Sequence, residues 1–186
     1  MNALVRPRHP LIDRALSDAR DWCKGHVIDG QPAIVHAVRV AVTVANHERD
    51  AAPGQIAAAL LHDSPDFAPP DIDLDHHLTG QYGADTCRLV RAIEADHQAI
   101  NVDVLTPPRE QDVLLLSTAD RLVALTSAAR RARRSDTRAF FTQRQRLVEL
   151  LPYFQSCCDA AWGRVPATLT RDLAAVLAEL RQLIVS

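Results

Sequence analysis

Apolar residues along this chain recur at helical spacing, and strict apolar/polar alternation is scarce. Alanine, leucine and arginine dominate, so the pattern predicts a chain that is nearly all helix. A first helix is expected over about residues 11–23. Asp29-Gly30-Gln31 reads as a turn, and Pro32 suits the first position of a second helix that runs to about His47. Pro53 opens a third helix, an alanine-rich apolar run that closes at His62-Asp63. The following stretch, Ser64-Pro65-Asp66-Phe67-Ala68-Pro69-Pro70, carries three prolines and is expected to be an ordered loop. A short helix is expected around Leu74 to Leu78, and Tyr82-Gly83 leads into a longer one through Val90 and Ile93. Asn101 to Pro108 reads as a loop, after which a helix carries Asp120 to about Arg130. Two or three more helices are expected over residues 136–184, broken at Pro152 and at Gly163-Arg164-Val165-Pro166.

At 186 residues the chain is long enough for one domain with a sizeable core, and residues 1–186 are expected to form one. Hydrophobic residues at 47% and charged residues at 24% are ordinary for a globular protein. A net charge of -2 does not favour nucleic acid or an anionic membrane, and no apolar run approaches the ~18 residues of a membrane helix. The apolar run near the N-terminus is too short for a signal peptide, so a cytoplasmic protein is expected. Cys23, Cys87, Cys157 and Cys158 form no Cys-x-x-Cys pair and read as free thiols of a reducing compartment.

Three apolar segments each carry an ionisable residue: His36, the pair His62-Asp63, and Asp120. Such groups need polar partners or a metal if they face a core, and all are expected to point into one. Two imidazoles and two carboxylates would make a mixed N/O site suited to Mn²⁺, with Fe²⁺, Co²⁺ or Zn²⁺ as alternatives. Four protein ligands on a six-coordinate metal leave positions for water and a phosphate oxygen. Taken singly, His36 also reads as a hydrogen-bonded core histidine and Asp120 as one half of an ion pair.

The ordered pattern H…HD…D resembles the HD-domain metal-dependent phosphohydrolases. Within them it is most similar to the RelA/SpoT-type domain, which removes pyrophosphate from guanosine tetra- and pentaphosphate. The resemblance covers about residues 11–130 and rests on Gly30-Gln31-Pro32…His36…Val40-Ala41, Ala58-Ala59-Leu60-Leu61-His62-Asp63, Tyr82-Gly83…Leu89-Val90 and Ala119-Asp120-Arg121-Leu122. It implies an all-α HD-domain helical bundle with the metal between core helices. It also implies a phosphohydrolase acting on a nucleotide or a related phosphate ester or anhydride.

The chain departs from that family around the metal. The family follows HD with a Glu-Asp pair that positions or activates water, and the matching positions here are Asp66 and Phe67. Asp66 keeps a carboxylate that could act as general base, or is a solvated loop residue. The family's basic residues before Gly-x-Pro are replaced in the region of His26, Val27 and Ile28, its lysine by Ser117 and its asparagine by Ala124. Ser117, Thr118, Ser127 and Arg39 are candidate substrate contacts. The hydroxyls equally suit bonds back to helix carbonyls, and Arg39 and Arg121 suit ion pairs. The alternative reading is an inactive HD fold that binds a nucleotide or a protein, and a homodimer stays open. The run Arg130–Arg138 reads as a solvated helix end rather than a nucleic-acid surface, with reach to a polyphosphate as a weaker reading. His76-His77 and His97 read as surface residues.

Overall fold

The computed structural model describes residues 9–28 and 30–185, and Asp29 of the expected turn lies outside them. The described residues form eleven helices and one two-residue antiparallel pairing, an all-α fold. None of these helices is long and apolar enough to cross a membrane. The chain divides into two compact units, Met1–Asp103 and Val104–Ser186.

The first unit is built around α3 (Pro53–Leu61), which packs against α1 (Pro10–Trp22), α2 (Ala33–His47) and α6 (Ala84–Asn101). Its residues Ile56 to Leu61 are all buried, as an all-round apolar helix must be. Ala57, Ala58 and Ala59 leave no bulk to hold the neighbouring helices away. Pro53 occupies the first turn, where its missing N–H breaks no bond. The Gln55 side chain accepts the Ala52 N–H at 2.8 Å and anchors the start. Between α1 and α2, β1 (Val27–Ile28) pairs with β2 (Gln31–Pro32) across a turn in which Gly30 has φ +74°. The sequence pattern marked the turn but not the pairing, and Pro32 stands just before α2 rather than inside it.

The proline-rich stretch after Asp63 is not wholly loop. Ser64–Phe67 form α4, one helical turn, because Pro65 falls in the first turn where proline is tolerated. The next helix, α5 (Leu74–Tyr82), is longer than its apolar pattern indicates and runs through Gly80. Asp73 caps it by accepting the His76 N–H at 3.0 Å. Gly83, at φ +89°, ends it and starts α6.

The second unit holds α7 (Gln111–Arg134), α8 (Thr137–Thr142), α9 (Gln145–Glu149), α10 (Leu151–Ala161) and α11 (Ala167–Val185). The long α7 packs on α8, α10 and α11. On α11, Leu169, Leu173, Leu177 and Leu180 form one buried stripe at helical spacing. Four helices follow α7 rather than two or three. Pro152 begins α10 instead of breaking a helix, again from the first turn.

Candidate metal centre

His62 caps the C-terminal end of α3 and is 2% exposed. Its Nδ1 lies 2.9 Å from the Ala59 carbonyl oxygen. A carbonyl only accepts, so Nδ1 carries the hydrogen and donates it. In the neutral ring the lone pair is then on Nε2, the orientation in which metal-binding histidines are commonly held by a backbone carbonyl. That Nε2 is 3.3 Å from Asp63 Oδ1. Two lone pairs at this separation repel unless positive charge lies on or between them.

His36, half-buried on α2, brings its ring to 5.2 Å from that of His62, with a ligand nitrogen of each within 4.8 Å of the other. Asp63 Oδ2 and Ser64 Oγ are buried without a hydrogen-bond partner among the described residues. Protonating His62 would satisfy Oδ1 and leave Oδ2 bare, which is costly for a buried carboxylate. A divalent cation satisfies both conditions at once. The donor set in the first unit, two imidazoles and a buried carboxylate, therefore suits such an ion.

Two neighbours of this centre, His97 and Cys23, escaped the sequence pattern. His97, on α6, is not a surface residue. It is half-buried, and its ring stands edge-on to His62 with centroids 6.0 Å apart. Cys23, just beyond α1, is buried, and its thiol is pushed up to about 11, by burial first and by the charge of Asp63 second. The ring of His26 stacks on that of Phe67, with centroids 4.4 Å apart and planes 25° from parallel. Two positions that depart from the resembled family thus meet each other, aromatic on aromatic.

The remaining candidates are placed as follows. Asp66 is exposed on α4. Arg39 follows His36 by three residues on α2 and is half-buried. In the second unit Asp120 is half-buried on α7, with Ser117 three residues before it and Ser127 seven after, on one face of that helix. Ser117 is buried. Thr118 donates to the Leu114 carbonyl at 2.6 Å, the back-bond expected of a helix hydroxyl. Arg121 is buried and donates to the Tyr153 hydroxyl at 2.9 Å, its guanidinium 5.4 Å from that ring's centre. His77 faces Asp18 at 2.7 Å, and the Tyr82 hydroxyl donates to the same oxygen at 2.6 Å. That pair therefore ties α5 to α1 rather than forming a chelate with His76, which is exposed.

The described residues thus form an all-α fold. No protein-family model and no curated protein matches its sequence. Among solved structures it is similar to a chain described as a metazoan ortholog of SpoT that hydrolyzes ppGpp and plays a role in starvation responses. The TM-score is 0.68 at 18% identity, over 96% of this chain and 99% of that one.

Proposed function

We propose that this protein is a metal-dependent phosphohydrolase of the HD type, acting on a nucleotide or a related phosphate ester or anhydride. The observation that carries the reading is the set of His62, with Nδ1 held by the Ala59 carbonyl, and the adjoining His36 and Asp63. In this reading His36, His62 and Asp63, with Asp120 from the second unit, are the ligands, and the ion is Mn²⁺ before Fe²⁺, Co²⁺ or Zn²⁺. When bound, such an ion supplies a water of lowered pKa and polarises a phosphoryl oxygen.

The chain's own groups do the rest. Asp66 takes the proton of the attacking water as general base, an exposed carboxylate four residues beyond His62. Arg39 binds phosphoryl oxygens, and Ser117 and Ser127 hydrogen-bond the substrate. The solved neighbour is described as hydrolysing ppGpp, which makes guanosine tetraphosphate a substrate to test first. The His26–Phe67 stack, where the resembled family has charged side chains, supports a different substrate pocket around a retained metal.

The test is product analysis after reconstitution with Mn²⁺, using guanosine tetraphosphate, nucleoside mono- to triphosphates and NADPH. Release of phosphate or pyrophosphate is expected, abolished by a chelator and in His62→Ala and Asp63→Ala. A protein that binds the metal stoichiometrically and turns over none of these would sink the reading for the substrates tried. Failure to bind metal would sink it altogether.

A further inference from the structure

The end of α7 and the short helices after it enclose a cleft of about 380 Å³, within the size range of small-ligand sites. Its walls include Arg131, Arg134, Asp136, Phe140, Gln143 and Arg144, all from the second unit. This is the basic run that the sequence pattern assigns to a solvated helix end.

The arginines are arranged, not splayed. Arg144 holds its guanidinium carbon 4.2 Å from the centre of the Phe140 ring, and Arg131 holds its own at 5.6 Å from the same ring. Cation–π contact fixes such groups by their faces and leaves the N–H donors at their edges for a ligand. Arg134 and Arg144 form no ion pair with a carboxylate among the described residues. Arg133, next in the chain, differs: it pairs with Glu179 at 2.6 Å. The cleft's own carboxylate, Asp136, accepts the Ala139 N–H at 2.9 Å and caps α8. Three arginines and one carboxylate thus line the cleft, and two of the arginines, Arg134 and Arg144, form no ion pair among the described residues.

We propose that this cleft binds a small anion carrying adjacent phosphoryl groups, either inorganic pyrophosphate or the diphosphate of a nucleotide. Guanidinium forks match phosphoryl oxygens in pairs, so Arg134 and Arg144, the two without an ion pair, suit a ligand that offers two adjacent phosphoryl groups. The volume is larger than a lone phosphate fills.

The test is calorimetric titration of the full chain with inorganic pyrophosphate, with a nucleoside diphosphate and with a short DNA duplex. A chelator keeps the proposed metal centre out of the measurement. Pyrophosphate or the nucleoside diphosphate is expected to bind, with affinity reduced at least about tenfold in Arg144→Gln and in Arg134→Glu and partly kept in Arg144→Lys. Tighter binding of the nucleotide assigns that source, and equal binding assigns the free anion. Arg134 is exposed, so its variant carries the test if loss of the Arg144–Phe140 contact impairs folding. Absence of binding, or binding equal in the wild type and Arg134→Glu, overturns the proposal. Duplex binding that outcompetes pyrophosphate and is lost in the same variant also overturns it, in favour of nucleic acid.

Discussion

Burial sets the chemistry of individual side chains in the first unit. Cys23 and Tyr82 both hold their protons more tightly in the folded chain than in water. For Cys23 the thiol moves from an ordinary 9.0 to about 11 through burial and then Asp63. For Tyr82 the hydroxyl is raised through burial first and then through its bond to Asp18. A raised folded pKa means that the unfolded chain gives up its proton first as pH rises. For Cys23 the contribution is full below about pH 9 and is lost as pH climbs towards 11, and for Tyr82 it is full below about pH 10 and is lost above it. Melting temperature should therefore fall across these windows, and the fall should be shallower in Cys23→Ala and in Tyr82→Phe. Parallel slopes in all three proteins would show that neither group is the source. The burial of His62 and Asp63 follows from the apolar run that they close, since ionisable groups at the end of such a run stand out. The placement of His97 does not, because it lies beside polar Glu94 and Asp96 and nothing local marks it as facing inward.

Among the helices, the junctions carry the testable consequences. Gly83 joins α5 to α6 at φ +89° and ψ 159°, a conformation that only glycine adopts readily. An added Cβ there meets nothing within 4 Å, so the cost of Gly83→Ala is backbone strain alone, about 1–3 kcal/mol. Gly80, three residues earlier, lies inside α5, also in open space. Gly80→Ala should stabilise the chain by up to about 1 kcal/mol, so the two variants should shift a denaturation midpoint in opposite directions. In the second unit, the bond from Arg121 to Tyr153 links α7 to α10. Tyr153→Phe removes one acceptor of a buried charged donor and should cost about 1–3 kcal/mol, measured by the same denaturation. An aromatic hydroxyl 32 residues away cannot be inferred from the motif around Asp120.

For the chain as a whole, metal binding and stability should be linked. A ligand that binds the folded state alone, at about 100 times its Kd, adds about 2.7 kcal/mol. For a chain of 186 residues that corresponds to a melting temperature raised by about 5–10 °C on adding Mn²⁺. Asp120→Ala should reduce the shift, because in the proposed reading the second unit contributes a ligand. An undiminished shift in that variant would confine the metal to the first unit. The same measurement with His62→Ala gives the baseline without the central imidazole.

The apolar periodicity of the chain is enough to establish an all-helical protein, the placement of α1, α2, α3 and α7, and the helices on which His36, His62 and Asp120 ride. These follow from local physics: backbone hydrogen bonds close within four residues, and an apolar face must be buried wherever it occurs. Packing alone brings His97 to His62, Cys23 under the charge of Asp63, His26 onto Phe67, and Arg131 and Arg144 onto one phenylalanine ring. Those pairings depend on which helix faces meet and on rotamer choices made after they meet. That information is held in contacts between residues distant in the chain, not in the spacing of any one segment.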